Sequence, residues 1–214
     1  YVGFPLNLSP YSGMNLSGIS MGSHEIDPAG ASEQSVTGRS HVQMLGQVLK
    51  QADSLAAVRE FVHSQKHMSA ELFSVADGDS GTGAMFEMTA SAVNERLPTD
   101  GYVYATNHFL HPSMQAKHSP PSSGSLGRVA RLQQLVDKGG EETKWGILSE
   151  ATLADIMRDP IDPALGIAQT DEELETMNWD NNGSLGANGP MHFVVFDPAS
   201  RLFYVDAGVP PLHK

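Results

Sequence analysis

Apolar residues recur at helical spacing early in the chain. Val42, Leu45 and Leu49 share one face of a helix, and Leu55, Val58 and Val62 share a face of a second that begins at the capping pair Asp53 and Ser54. The short connection predicts an antiparallel pair. The period then becomes that of strands, and Glu71 to Ala76, Ala84 to Thr89, Ser91 to Arg96 and Tyr102 to Asn107 predict an antiparallel meander. Ahead of the helices, residues 1–21 read as extended pieces turning at Pro5, Pro10 and Gly13, followed by a polar loop from Ser23 to Arg39. Helical spacing returns from about Ser125 to Lys138, where Gly139-Gly140 stops it. A shorter helix is capped by Ser149, turns Leu153, Ile156 and Met157 inward, and ends at Pro160. Residues 160–190, weakly periodic and rich in acids, Asn and Gly, predict a surface loop or flap. "MHFVVFDPASRLFYVDAG" closes the chain as two strands with a turn at Asp197 to Ser200. Strand runs alternating with paired helices predict an α+β fold rather than a parallel βαβ fold.

The 214 residues suit a single domain spanning 1–214 with one substantial core. A formal charge of −12 repels phosphate backbones, so nucleic acid is not an expected partner. No apolar run is long enough for a membrane span. The absence of cysteine removes disulfides, thiolate zinc sites and a thiol nucleophile from these residues, without identifying a compartment.

Several stretches could carry chemistry. "DGDSGTG", Asp77 to Gly83, contains the Gly-Asp-Ser-Gly of chymotrypsin-like proteases, but its flanks favour strands and its own residues favour a tight turn. Ser80 therefore reads as a turn residue, and Asp77 and Asp79 as its stabilisers. Asn107 and His108 sit where a predicted strand ends. The Asn107 amide either satisfies the following loop, the commoner case, or donates to an oxyanion. Arg128 lies at the edge of the stripe formed by Val129, Leu132, Leu135 and Val136, in the first turn of its predicted helix, where the dipole disfavours a cation. A surface ion pair, a compensating carboxylate or a substrate would each account for it. Arg131 points further from the stripe and reads as solvated. His63 and His67 have i, i+4 spacing, and His108, His111 and His118 cluster in a Pro/Ser loop. Without a neighbouring Glu these do not complete a metalloprotease motif, and no metal or cofactor is expected. Asp171, Glu172, Glu173 and Glu175 read as a solvated face.

The ordered set "SGMNLSGIS", "VLKQADSLAAVREFV", "FSVADGDSGTGAMFEMT", "ATNHF", "SLGRVARL" and "VVFDPASRLFYVDAG" resembles the isopenicillin N acyltransferase family. That family is a branch of the N-terminal-nucleophile hydrolases, related to choloylglycine hydrolases and acid-ceramidase-like amidases. The resemblance covers nearly the whole chain outside residues 160–190. It implies a four-layer αββα sandwich, its N-terminal strands incomplete here, and attack on a small-molecule amide or thioester by an N-terminal cysteine freed by autocatalytic cleavage. It also implies that Asn107 is the oxyanion-hole asparagine, that Arg128 lines the site, and that Asn15 lies in a segment beside the nucleophile, where its amide contributes a second polar contact; Asn15 and His108 are the substrate-binding candidates, His108 by shaping the strand exit. The family's nucleophile precedes the "GMN" segment and has no counterpart here, so the expectation is an upstream segment or another chain that carries it. Two other readings are a non-catalytic small-molecule-binding relative and a histidine-based metal-dependent hydrolase.

Overall fold

The computed structural model describes residues 11–176, 182–186 and 192–207. It is an α+β protein whose sheets are antiparallel. The turns expected at Pro5 and Pro10 lie outside the described residues. Two compact units form: one from the described residues up to Pro120 with Phe196–Leu202, the other from Pro121–Val195 with the described residues from Phe203 on.

The first unit is built on a five-stranded sheet in the order β1 (Ser12–Met14), β2 (Ile19–Glu25), β3 (Glu71–Asp77), β4 (Thr82–Met88) and β5 (Val93–Arg96). Gly13 is a strand residue and not a turn. The chain reverses at Asn15–Gly18 instead, with Gly18 at φ +78°, and β2 runs on through the expected loop residues Ser23 to Glu25. Asp77 to Gly83 forms the expected hairpin, with exposed Ser80 in its turn and Gly81 at φ +65°. Asp77 fixes that turn by accepting from the Asp79 and Ser80 amides.

Helices α1 (His41–Gln51) and α2 (Leu55–Ser64) start where the sequence caps them. Ser40 exchanges bonds with Gln43, and the Ser54 hydroxyl accepts from the Ala57 amide. They bury Met44, Leu45, Val48, Leu55, Val58 and Val62 against one face of the sheet, where Phe73 pairs with Phe86 and Val75 with Ala84. Strand alternation sends Leu72 and Met85 to the other face, where they meet Ile26, Phe109 and Met114. His67 lies beyond the end of α2, so His63 and His67 do not share a helix face. The His67 ring instead donates through Nε2 to the Val62 carbonyl.

Tyr102 to Asn107 is not a strand. Pro98 has no N–H to extend β5, and among the described residues the strand pairing there is an isolated bridge between Thr99 and Tyr102. Alternation alone cannot supply a partner strand.

The second unit contains α3 (Ser123–Val136), α4 (Glu150–Met157), a hairpin of β6 (Ile161–Asp162) and β7 (Ile167–Ala168), and α5 (Asp171–Thr176). Within residues 160–190 the described part thus includes a hairpin and a helix. Strands β8 (His192–Asp197) and β9 (Leu202–Ala207) form the expected closing pair. Only Ile156 of α4 is buried. Leu153 and Met157, expected inward, are 38% and 41% exposed, because the helix is short and meets the small cluster of Phe193 and Val195 through Ala154.

The largest departure is Arg131, expected in solvent and found 1% exposed. Its guanidinium bonds to Glu142, Asp159 and Gln134. Burial of a charge demands such partners, and those two carboxylates lie 11 and 28 residues downstream, out of reach of a single-helix reading. Among the described residues no helix is long and apolar enough to cross a membrane.

Candidate functional site

The first unit holds Asn15, Asn107 and His108; the second holds Arg128. Asn107 sits between side chains that fix its backbone. Thr106, His108 and Phe109 on either side are buried, and the Thr106 hydroxyl pairs with His108 Nδ1 at 3.2 Å. Phe109 anchors in the second apolar cluster and meets the His118 ring edge-on at 5.4 Å. Half-buried Asn107 donates from Nδ2 to the Glu25 carbonyl at 3.1 Å. It therefore stands at the end of the sheet where Glu25 pairs with Glu71 and Glu71 with Met88.

Asn15 is at the other end of β2. Its side chain accepts from the Ile19 amide at 3.0 Å and donates to the Ala52 carbonyl at 2.7 Å, tying the β1–β2 turn to the end of α1. The seven residues from Ile19 to Glu25 span about 20 Å of strand, so the structure does not bring Asn15 and Asn107 together. His108 is 5% exposed, with its ring 6.1 Å from that of His118.

A cavity of about 500 Å³ opens in the first unit, lined among others by Ser74, Ala76, Gly83, Tyr102 and Pro198. It lies at the Asp77–Thr82 end of the strands, away from Asn107. A turn arginine closes that end, since Arg201 pairs with Asp79 at 2.5 Å.

The corner beside Asn107 is acidic. Glu71 is 7% exposed; one carboxylate oxygen lies 3.2 Å from His41 Nδ1 and the other has no hydrogen-bond partner among the described residues. Burial pushes the Glu71 carboxyl up, while the carboxylate beside His41 raises the imidazole above its ordinary value.

In the second unit, Arg128 is 8% exposed and donates from Nη1 to the Asn182 carbonyl at 3.2 Å. Helix α3 begins at Ser123, two residues earlier than expected, so Arg128 lies in the second turn, where the dipole opposes it less. Asn182 and Ser184 are fully buried in a polar cluster. Asn182 donates to Gln169 Oε1 at 2.6 Å, the Ser184 amide donates to Asn182 Oδ1 at 2.9 Å, and the Gly183 amide donates to Asp162 at 2.9 Å. Gly127 permits this approach: a Cβ on it would lie 2.6 Å from Gly183 Cα. Sequence reasoning missed this cluster, because "NNGSLG" has the composition of an exposed turn.

Ser80 has no histidine beside it in the described hydrogen bonds; its amide is held by Asp77. No group of three or more His, Asp or Glu side chains among the described residues could hold a metal ion.

Residues 9–177 match the family model of acyl-coenzyme A:6-aminopenicillanic acid acyl-transferase. No curated protein matches the chain.

Proposed function

The chain belongs to the acyl-coenzyme A:6-aminopenicillanic acid acyl-transferase family, and from that premise we propose that it belongs to an N-terminal-nucleophile enzyme that transfers or hydrolyses acyl groups at linear amide or thioester bonds. The nucleophile in this reading is an N-terminal cysteine outside these 214 residues, which contain none. Its thiol loses a proton to its own α-amine and attacks the carbonyl carbon. The tetrahedral intermediate collapses with protonation of the departing amine or thiol, and water or a second amine then takes the acyl group.

Asn107 donates to the oxyanion and Arg128 orients the surroundings of the nucleophile or a substrate carboxylate. Asn15 acts indirectly, by holding the β1–β2 turn. His108 holds the backbone on which Asn107 stands. One observation carries the reading: the Asn107 amide is presented at a sheet end by a backbone fixed between buried neighbours, which is the preorganisation that an oxyanion donor needs. The four-layer αββα sandwich is part of the proposal, and the helix pair packed on one face of the five-stranded sheet supports its first two layers.

The test is an assay of the complete gene product with hexanoyl-CoA, with and without 6-aminopenicillanic acid, following free thiol and acylated amine. Thiol release is expected, and acylated amine in addition if transfer competes with water. Binding of hexanoyl-CoA without thiol release would sink the reading in favour of a non-catalytic binding relative.

A further inference from the structure

Glu87 is 0% exposed on β4, on the sheet face that carries Leu72 and Met85. A buried carboxylate is costly unless a cation and several donors compensate it. Arg96 Nε lies 2.6 Å from Glu87 Oε1. The other donors are backbone amides: Leu110 N at 3.0 Å, and His111 N at 3.1 and 3.0 Å from the two oxygens. Arg96 also donates from Nη2 to the Tyr104 carbonyl at 2.8 Å. The pair thus grips the chain three residues before Asn107 and again three and four residues after it, in a stretch that belongs to no strand ladder.

We propose that Glu87 and Arg96 are positioning residues that hold the 104–111 segment so that the Asn107 amide keeps its direction. The inference rests on the reading of Asn107 as the oxyanion donor. Such a donor loses much of its effect when displaced by a fraction of an ångström, and the Glu87 and Arg96 contacts act directly on the backbone of this segment, which lies outside the described strands. A purely structural ion pair would join β4 to β5 and leave the loop carbonyl and amides to other partners. Here the four backbone contacts all fall around Asn107.

Two measurements on the complete protein test this. Hydrogen exchange of the peptide covering residues 104–111 should quicken about tenfold in Glu87→Gln, with the β3–β4 peptides unchanged. In a double-mutant cycle read by hexanoyl-CoA hydrolysis, Glu87→Gln should lower kcat about ten- to a hundredfold with KM within twofold. In an Asn107→Ala background the same change should cost nothing further. Multiplying losses, or unchanged exchange at 104–111, would overturn the positioning role while leaving Asn107 intact. An Asn107→Ala variant with unchanged kcat would overturn the oxyanion reading and this inference with it. If Glu87→Gln fails to fold, the neutral pair Glu87→Gln/Arg96→Gln, which leaves no buried charge alone, takes its place under the same criteria.

Discussion

Arg131 faces Asp159 through two parallel N–H···O bonds of 2.8 Å each, from a guanidinium that is 1% exposed. Asp159 first, and then Glu142, hold the guanidinium well above its ordinary value despite burial. Lysine cannot reproduce this fork. Arg131→Lys should therefore destabilise the second unit by about 3–5 kcal/mol in denaturant unfolding. Glu142→Gln should cost less than about 1 kcal/mol, because that side chain is half exposed. Equal losses for the two variants would contradict this division.

Asp77 gives a pH dependence. Burial pushes its carboxyl up, but the amides of Leu55, Ser80 and Asp79, with the Ser80 hydroxyl, outweigh burial and hold it below the ordinary range. A carboxylate with a depressed folded pKa adds stability above its unfolded value, near pH ~4, and loses it as pH falls through the folded value. The wild type should exceed Asp77→Asn by about 1–3 kcal/mol at pH 6, with the gap closing toward pH ~2. Unfolding midpoints across that range check it; a gap independent of pH would contradict the assignment.

Gly127→Ala should separate α3 from the Gly183 backbone, since the atoms the new Cβ would meet are all backbone atoms of Gly183 and none is a flexible side chain. We expect a loss of about 1–3 kcal/mol in thermal unfolding, together with reduced activity as the Asn182 carbonyl leaves Arg128. Gly139→Ala, whose Cβ would meet nothing within 4 Å, should be near neutral and serves as the control.

Asn107→Ala should lower kcat about 10²- to 10³-fold with little change in KM, as removal of an oxyanion donor does. Asn15→Ala should instead lower stability, because its two bonds are internal. Steady-state kinetics and melting temperatures on the same preparations separate the two. A lower kcat for Asn15→Ala at unchanged stability would put Asn15 back in the site.

Helix α2 and the β3–β4 hairpin were legible because burial follows local periodicity there: Leu55, Val58 and Val62 are all buried, as their spacing demands. What was illegible depends on distant partners. Tyr102 to Asn107 alternates like a strand but joins none of the described sheets. The separation of Asn15 from Asn107 follows from β2 running its full seven residues between them, which neither local motif encodes. Asn182 to Ser184 looks like an exposed turn and is buried because Gln169, Asp162 and Arg128 satisfy its polar groups. The resemblance led to Asn107 and Arg128 but could not reveal Glu87 and Arg96 holding the backbone beside Asn107.

The proposed activity requires a cysteine at a new amino terminus. Amino-terminal sequencing, with intact mass, of the mature product of the complete gene shows whether one is made. Cleavage that leaves a cysteine as the first residue of the mature chain is expected. An unprocessed product, or a mature terminus with no cysteine, would contradict it.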